Sequence, residues 1–263
     1  MEIFFRTLLA IYLAHLLADF IFQSSRLVEQ KRRGKLSGYL FHGLIHYVTS
    51  ILLVGFFVRA SAASFRTYLV LLLLSVIHLL LDGAKIRLTT RGLLHNDALA
   101  YVSDQLVHLL TIIFAAWLLV PGLTLGQLFA FAGLIRTAQP KWLAVPIVYI
   151  VVVFGGGYLI RDLTRTLAEG VRMQPTPEIG EHLQNAGLYI GWLERFLVIT
   201  ALLLHSPATV GLILTAKSIA RYPEFKSKRF AEYFLIGTLL SISIAILGGA
   251  LLAKAIFGAV QFP

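Results

Sequence analysis

The sequence predicts an all-α integral membrane protein, and three observations lead to this fold class. Hydrophobic residues make up 58% of the 263 residues and charged residues only 14%, with a mean hydropathy of +0.81. Several apolar runs reach the roughly 20 residues that a helix needs to cross a hydrocarbon core of about 30 Å. Continuous runs such as Tyr68 to Leu81 lack the two-residue alternation of a membrane β-strand, which argues against a β-barrel.

About eight membrane spans are expected from the apolar runs. The predicted spans are residues 3–23, 38–58, 65–84, 99–120, 141–160, 185–204, 207–221 and 232–257. The run Leu125 to Leu134 is too short to cross and is interrupted by glycine, so we interpret it as interfacial or re-entrant. The first span follows Met-Glu rather than a basic stretch, which indicates a retained helix and not a cleaved signal peptide.

Basic residues concentrate in short connections, and this sets the expected orientation. The net charge is +10, and Lys and Arg recur in residues 26–35, 85–91 and 226–229. Such loops face the cytoplasm in multi-pass proteins, so both termini are expected on the non-cytoplasmic side. Because these charges do not line one helix face, they indicate anionic membrane lipids as partners and not nucleic acid. The absence of cysteine excludes thiolate catalysis and disulfides.

Three regions are predicted along the chain. Residues 1–122 form an N-terminal four-helix membrane domain, and residues 185–263 form a C-terminal three-helix membrane domain. Residues 123–184 contain the interfacial segment, one span and a cytoplasmic linker. Pro175 and Pro177, in the polar stretch from Arg161 to His182, are typical of such a linker.

Each of the first four spans carries a pair of polar residues four positions apart. In a helix, residues i and i+4 lie on one face about one turn apart, so each pair directs two possible ligands the same way. Ionisable groups inside a membrane are costly and usually face a bundle interior, which makes them functional candidates. The four pairs are His15/Asp19, His42/His46, His78/Asp82 and Asp104/His108.

The pairs recur at a nearly constant offset, and each lies within about three turns of the predicted cytoplasmic end of its span. The first and third pairs are 63 residues apart, and the second and fourth are 62 residues apart. This spacing predicts two tandem hairpins of one design, related by a pseudo-two-fold axis along the membrane normal. The result is an N-terminal four-helix bundle in which all eight side chains meet at one site.

The chemistry of these groups indicates a metal centre. Imidazole and carboxylate groups are ligands for zinc, manganese or iron, and a site without sulfur does not choose among these divalent metals. Eight groups can hold two ions with four ligands each, or one ion with aspartates that orient the histidines through hydrogen bonds. The structural alternative is a set of hydrogen bonds that hold the helices together. Four pairs in a duplicated frame favour a metal or proton-active site.

Three segments resemble a family of uncharacterised bacterial multi-pass membrane proteins, a domain of unknown function with an H-L-x-x-D-F-x-x-Q signature. They are A-H-L-L-A-D-F-I-F-Q from Ala14, F-H-G-L-I-H-Y-V-T-S from Phe41 and I-H-L-L-L-D-G-A-K from Ile77. The resembling domain covers residues 1–120, and stretches from Gly187, Ala216 and Glu232 look like the C-terminal half of longer members. The resemblance implies a bacterial inner membrane location and no established activity.

A weaker likeness is to the inner-membrane metal-dependent hydrolase family. The H-x-x-x-x-H-S and H-x-x-x-D segments of that family are similar to Phe41–Ser50 and Ile77–Asp82. In this chain the first spacing is His42-x-x-x-His46 and no serine follows the second histidine. The likeness implies metal-dependent hydrolysis.

Three basic residues in the C-terminal half, Arg195, Lys217 and Arg221, are candidates for binding an anion or a lipid headgroup. The alternative is an ion pair of Glu194 with Lys217 that fixes helix packing, together with an Arg221 side chain that reaches to the membrane surface.

The patterns together favour an intramembrane metal-dependent hydrolase that acts on a lipid-linked or membrane-delivered phosphate or ester from the cytoplasmic side. One or two divalent ions would activate water, and no residue is assigned as a separate general base. A divalent-metal or proton transporter or channel is the first alternative, and a structural or regulatory scaffold is the second. Further from the cytoplasm than His15, His46, His78 and His108, the four helices are almost wholly apolar. This favours a site that opens to the cytoplasm alone.

Overall fold

All regular secondary structure among the described residues is helical. The computed structural model describes residues 2–58, 64–93, 97–120, 141–165, 167–168 and 186–257, and no strand occurs among them. Within these ranges, six helical segments are long and apolar enough to cross a membrane. They are Glu2–Ile21, Leu36–Val58, Phe65–Thr90, Asp97–Leu119, Trp142–Leu163 and Lys228–Phe257. The predicted all-helical class is therefore confirmed. The interfacial run at 125–134 and the linker prolines lie outside the described residues.

Two compact units divide the chain, Met1–Ile147 and Val148–Pro263. In the first, α1 (Glu2–Leu16) continues as a π-helical segment, Leu17–Ile21. The short helix α2 follows and packs against α3, and the remaining helices are α4 and α5. Their bounds are Ser25–Arg32 for α2, Leu36–Val58 for α3, Phe65–Thr90 for α4 and Asp97–Leu119 for α5. Because α1 packs on α3 and α5, and α4 packs on the same two helices, the four long helices form a closed ring.

Local sequence signals set the ends of α2, the helix that packs beside the His/Asp pairs. The Ser24 side chain accepts a hydrogen bond from the Leu27 backbone N–H and caps the start of the helix. Gly34 has a φ of +69°, a left-handed conformation that suits glycine just past a helix end. The Lys35 N–H then donates to the Gln30 carbonyl and closes the last turn. The connection to α3 is thus short and rigid.

The four long helices are apolar at one end of the ring and polar at the other. Buried residues such as Phe4, Val54, Leu71 and Ile112 form the apolar core. On every helix, these residues lie one or more turns away from the His/Asp pair, on the side predicted to face away from the cytoplasm. The packing of this core therefore closes one end of the ring to water.

The second unit is built around a pair of packed helices and a third helical segment beside them. The boundary between the units falls inside α6 (Lys141–Ile150), which continues through a π-helical segment, Val151–Gly155, into α7 (Gly156–Leu163). The remaining helices are α8 (Ala186–Leu203), α9 (Ala208–Ala220) and α10 (Lys228–Phe257), with a 3₁₀ turn at Tyr222–Lys226. The helix α8 packs along α10, and the π-helical segment packs on both.

Two of the eight predicted spans are not among the six long apolar helices. The helix α9 has 13 residues, a length of about 20 Å at 1.5 Å per residue, short of a hydrocarbon core of about 30 Å. The helix α8 has 18 residues and carries the charged Glu194 and Arg195 near its centre. The count of eight crossings remains a prediction that depends on these two helices.

Gly38 provides a test of the packing between α2 and α3. A Cβ added at Gly38 would lie 2.7 Å from Gln30 Cβ and 3.1 Å from the Lys31 backbone nitrogen. We expect Gly38→Ala to push α2 away and to lower the free energy of unfolding by about 1–3 kcal/mol. Thermal unfolding in detergent, followed by circular dichroism, measures this. The control is Gly237→Ala in α10, where a Cβ meets nothing within 4 Å. Equal midpoints for the two variants would contradict the packing.

Candidate metal centre

All eight predicted site residues meet at the polar end of the four-helix ring. The five histidines are buried, none being more than 5% exposed. The three aspartate side chains are 10–15% exposed, so the carboxylates form the side of the cluster nearest to water. The members are His15, Asp19, His42, His46, His78, Asp82, Asp104 and His108.

Asp19 is the carboxylate around which most of the histidines gather. Its Oδ1 atom lies 2.9 Å from His46 Nε2, 3.2 Å from His42 Nε2 and 3.6 Å from His78 Nε2. Its Oδ2 atom lies 3.5 Å from His15 Nε2. Asp19 belongs to the π-helical segment Leu17–Ile21, and single π turns of this kind recur at functional sites because they redirect side chains.

His78 connects the two halves of the cluster. Its Nε2 atom lies 3.1 Å from His42 Nε2, and its Nδ1 atom lies 3.2 Å from His108 Nδ1. The ring centroid of His78 is also 3.8 Å from that of His46. Since these side chains come from three helices, the imidazoles form one continuous group across the ring.

The other two aspartates each face a lysine as well as histidines. Asp82 Oδ2 accepts a hydrogen bond from Lys31 Nζ at 2.5 Å, while Oδ1 lies 3.7 Å from His108 Nε2. Asp104 Oδ2 accepts from Lys85 Nζ at 2.8 Å, while Oδ1 lies 3.5 Å from His108 Nε2. Each carboxylate therefore directs one oxygen to His108 and the other to an ammonium group.

Three subsets of the cluster can hold a metal ion, because their ligand atoms lie within 4.8 Å of one another. Ligand atoms about 2.0–2.2 Å from one ion stand roughly 3–3.6 Å apart, which is the range seen around Asp19. The ring nitrogens His15 Nε2 and His108 Nε2 are buried and accept or donate no hydrogen bond. The subsets are His15/Asp19/His46/His78, His42/His78/Asp82 and Asp82/Asp104/His108.

A small cavity lies on the deep side of the histidines, between them and the apolar core. His15, His46, His78 and His108 line it together with residues one turn deeper, which include Ser50 and Ser75. Its volume of about 10 Å³ is close to what one water molecule requires. Ile11, Leu74 and Ile112 of the apolar core also contribute to its lining.

Sequence reasoning missed three residues that contact the cluster. Lys31 is 5% exposed and was used above only as a marker of orientation. Lys85 follows Asp82 by three residues, a spacing that puts both on one helix face. Gln23 Nε2 lies 3.4 Å from His42 Nε2. The structure buries Leu27 and Lys31, which lie four residues apart on one face of α2.

The three predicted anion-binding residues of the second unit each have their own partner. Arg195 is 3% exposed and donates to the Val153 carbonyl at 2.7 Å from Nη2. Lys217 Nζ donates to Glu194 Oε2 at 2.7 Å, which is the ion pair considered as an alternative. Arg221 Nη1 donates to Glu224 Oε1 at 3.1 Å. Each of the three cations thus donates to a different acceptor, and these bonds do not bring the cations together at one site.

The buried ion pair of Lys31 and Asp82 can be tested by comparing the free energy of unfolding of single and double variants in metal-stripped protein. Asp82→Asn leaves the Lys31 ammonium buried without a carboxylate, and we expect unfolding to become easier by about 3–5 kcal/mol. The double variant with Lys31→Met should regain most of this, because both charges are then absent. Asp104→Asn is the matched control with a smaller cost, since the Lys85 side chain is 35% exposed. A double variant no more stable than Asp82→Asn would contradict the pairing.

Most of the four-helix ring lies within the region that matches a sequence family. Residues 7–134, just under half of the chain, match the family model described as "Protein of unknown function (DUF3307)". No curated protein and no solved structure matches the chain at a significant level. The match covers every member of the His/Asp cluster and supports the relation of this region to an uncharacterised family.

Proposed function

We propose that this protein is an intramembrane metal-dependent hydrolase whose centre is the His/Asp cluster. The observation that carries the proposal is the convergence of five buried histidines and three carboxylates from four helices, with nitrogen and oxygen atoms 2.9–3.7 Å apart. Separations of this size fit the edges of a metal coordination shell. The substrate class is a phosphate or ester that is linked to lipid or delivered by the membrane.

The cluster has more polar groups than helix association requires. A single interhelical hydrogen bond in a membrane contributes on the order of 1 kcal/mol, whereas each buried ionisable group costs several. Moreover, His15 Nε2 and His108 Nε2 have no hydrogen-bond partner, although both residues are buried. Groups retained only for packing would pair fully, so the unpaired nitrogens favour a ligand-binding role.

The position of the cluster favours an enzyme over a transporter. Transport requires access from both membrane faces, and the sites of secondary transporters lie near the midplane. Here the apolar core around Phe4, Val54 and Leu71 closes one end of the ring. The aspartates form the less buried side, at the end predicted to face the cytoplasm. A substrate would therefore enter and leave through the same side.

The residues of the chain have distinct parts in this proposal. A bound divalent ion supplies a Lewis acid that polarises a phosphoryl or carbonyl oxygen and makes water a better nucleophile. The histidines provide neutral nitrogen ligands, and Asp19 provides charge that favours the cation. Gln23 contacts His42 and orients its ring. The apolar core excludes bulk water from the deep side.

Several finer expectations belong to the same proposal. The protein would have eight crossings, with α8 and α9 as the shorter spans and both termini on the non-cytoplasmic side of a bacterial inner membrane. The two N-terminal hairpins would be related by a pseudo-two-fold axis. The reaction class is the one that the weaker likeness to the metal-dependent hydrolase family implies. Of the three predicted anion-binding residues, Lys217 and Arg221 would contact anionic lipid, whereas Arg195 is buried and donates to the Val153 carbonyl.

Metal content is the first test of the proposal. We expect purified protein to contain zinc, manganese or iron by elemental analysis. His46→Ala and Asp19→Asn should lower the content at least tenfold, because even the loss of a residue that only hydrogen-bonds to a ligand costs about 10–100-fold in metal affinity. His205→Ala is the matched control, since His205 is exposed and outside the cluster. A wild-type protein without bound metal would contradict the proposal and favour the scaffold.

Hydrolysis and transport can then be separated in proteoliposomes. Fluorescent phosphatidic acid probes phosphate release, and fluorescent phosphatidylcholine probes ester cleavage. We expect cleavage of at least one lipid by metal-loaded protein and its loss in His46→Ala, with no uptake of radioactive zinc or manganese. Metal uptake that is lost in His46→Ala, without cleavage of either lipid, would contradict the hydrolase and establish the transporter.

A further inference from the structure

We infer that the cluster holds a single divalent ion, on His15, Asp19, His46 and His78, and that Lys31 and Lys85 occupy the charge positions of a second ion. The inference rests on the proposed metal centre and deepens it by assigning the number of ions and the ligands. It separates the metal-binding group around Asp19 from the group around Asp82 and Asp104, whose charge lysine already neutralises. His42 lies between the two groups, 3.2 Å from Asp19 Oδ1 and 3.6 Å from Asp82 Oδ2.

The half around Asp19 lacks a positive charge of its own. Among the described residues, no lysine or arginine nitrogen lies within 4.0 Å of the Asp19 carboxylate, and its ion-pair contacts are all with histidines. This carboxylate is nevertheless buried in apolar surroundings, where an unpaired charge costs several kcal/mol. Three neutral imidazoles and one carboxylate around an unmet negative charge constitute a four-ligand site for a divalent cation.

The half around Asp82 and Asp104 is different because two lysines of the chain neutralise its carboxylates. Lys31 Nζ lies 2.5 Å from Asp82 Oδ2, and Lys85 Nζ lies 2.8 Å from Asp104 Oδ2. The Lys31 side chain is 6% exposed, so its ammonium group has little access to water and relies on this carboxylate. A cation at this half would have to displace the two lysines or lie beside them.

Charge decides between one ion and two. Three carboxylates and two ammonium groups leave the cluster with one net negative charge when the imidazoles are neutral. One divalent ion brings the net charge to +1, whereas two ions would bring it to +3. Burial of charge in low dielectric is costly, so the second ion is disfavoured. A negatively charged nucleophile or substrate group would balance the single ion.

His108 is the ligand that would serve a second ion, and its environment agrees with this division. Its Nε2 atom lacks a hydrogen bond but lies between Asp104 Oδ1 at 3.5 Å and Asp82 Oδ1 at 3.7 Å. Its Nδ1 atom contacts His78 Nδ1 at 3.2 Å. His108 therefore joins the lysine-paired carboxylates to a histidine of the metal-binding half. In this role His108, Asp82 and Asp104 are positioning residues.

The consequence is a one-metal hydrolytic centre and not a two-metal clamp. Two-metal hydrolases place ions about 3.5–4 Å apart and stabilise the attacking and leaving oxygens together. In a one-metal centre, the chain must stabilise the second oxygen by other means. Of the two ammonium groups, that of Lys85 is the one that can meet an anionic substrate group, because its side chain is 35% exposed.

Metal stoichiometry tests this inference and separates it from the proposed function. Elemental analysis of the full chain after saturation with zinc and gel filtration should give one ion per wild-type chain. Asp19→Asn should lose the ion, whereas Asp104→Asn should keep it. Lys31→Met with Lys85→Met should bind two ions, because Asp82 and Asp104 then lack their counter-charges. If the double variant does not fold, Lys85→Met alone, at a partly exposed position, should also bind more than one ion per chain.

Each outcome has one meaning. Two ions in the wild type would overturn the single-ion inference and leave the metal-dependent hydrolase standing. Loss of metal in Asp104→Asn, or one ion in folded lysine variants, would overturn the assigned roles of the two halves. No ion in the wild type would overturn both this inference and the proposed function.

Discussion

The burial of three carboxylates among apolar helices is the constraint on which the rest of the first unit depends. Each carboxylate lost most of its hydration on folding, and such a group persists only with a partner of opposite charge or a dense set of donors. Asp82 and Asp104 have Lys31 and Lys85, and Asp19 has a group of imidazoles. The ring of four helices, the short α2 and the π-helical turn all serve to bring these partners together.

The helices divide the tasks of support and chemistry along their length. At one end, residues such as Phe4 and Leu71 pack into an apolar core and set the spacing of the helices. At the other, the same spacing holds imidazole rings with centroids 3.8–5.4 Å apart. Because the histidines belong to rigid helices rather than to loops, their positions depend on packing that lies one or two turns away. The helix α2 completes the site by carrying Lys31 across its open side.

The convergence of the four pairs could be predicted from the sequence, because an i,i+4 spacing follows directly from helix geometry and apolar helices turn polar faces inward. The π-helical turn at Asp19 could not, since it adds one residue to a turn and leaves no compositional mark. Lys31 and Lys85 were interpreted as surface charges, because orientation rules count every basic residue alike. Whether such a lysine reaches a buried aspartate depends on the angle of α2 and on the length of α4, which extends to Thr90 beyond the predicted end at 84. In the second unit, the pair of Glu194 with Lys217 was foreseen as an alternative, whereas the carbonyl partner of Arg195 lies in a second π-helical segment.

We propose that three histidines and one aspartate of the first unit hold one ion. X-ray absorption spectroscopy at the edge of the ion that co-purifies, or of zinc after reconstitution, measures its ligands directly. We expect about four nitrogen or oxygen ligands near 2.0–2.1 Å with the multiple-scattering pattern of imidazole and no sulfur. A metal–metal distance of about 3.5–4 Å, or an ion surrounded by water without imidazole, would contradict it.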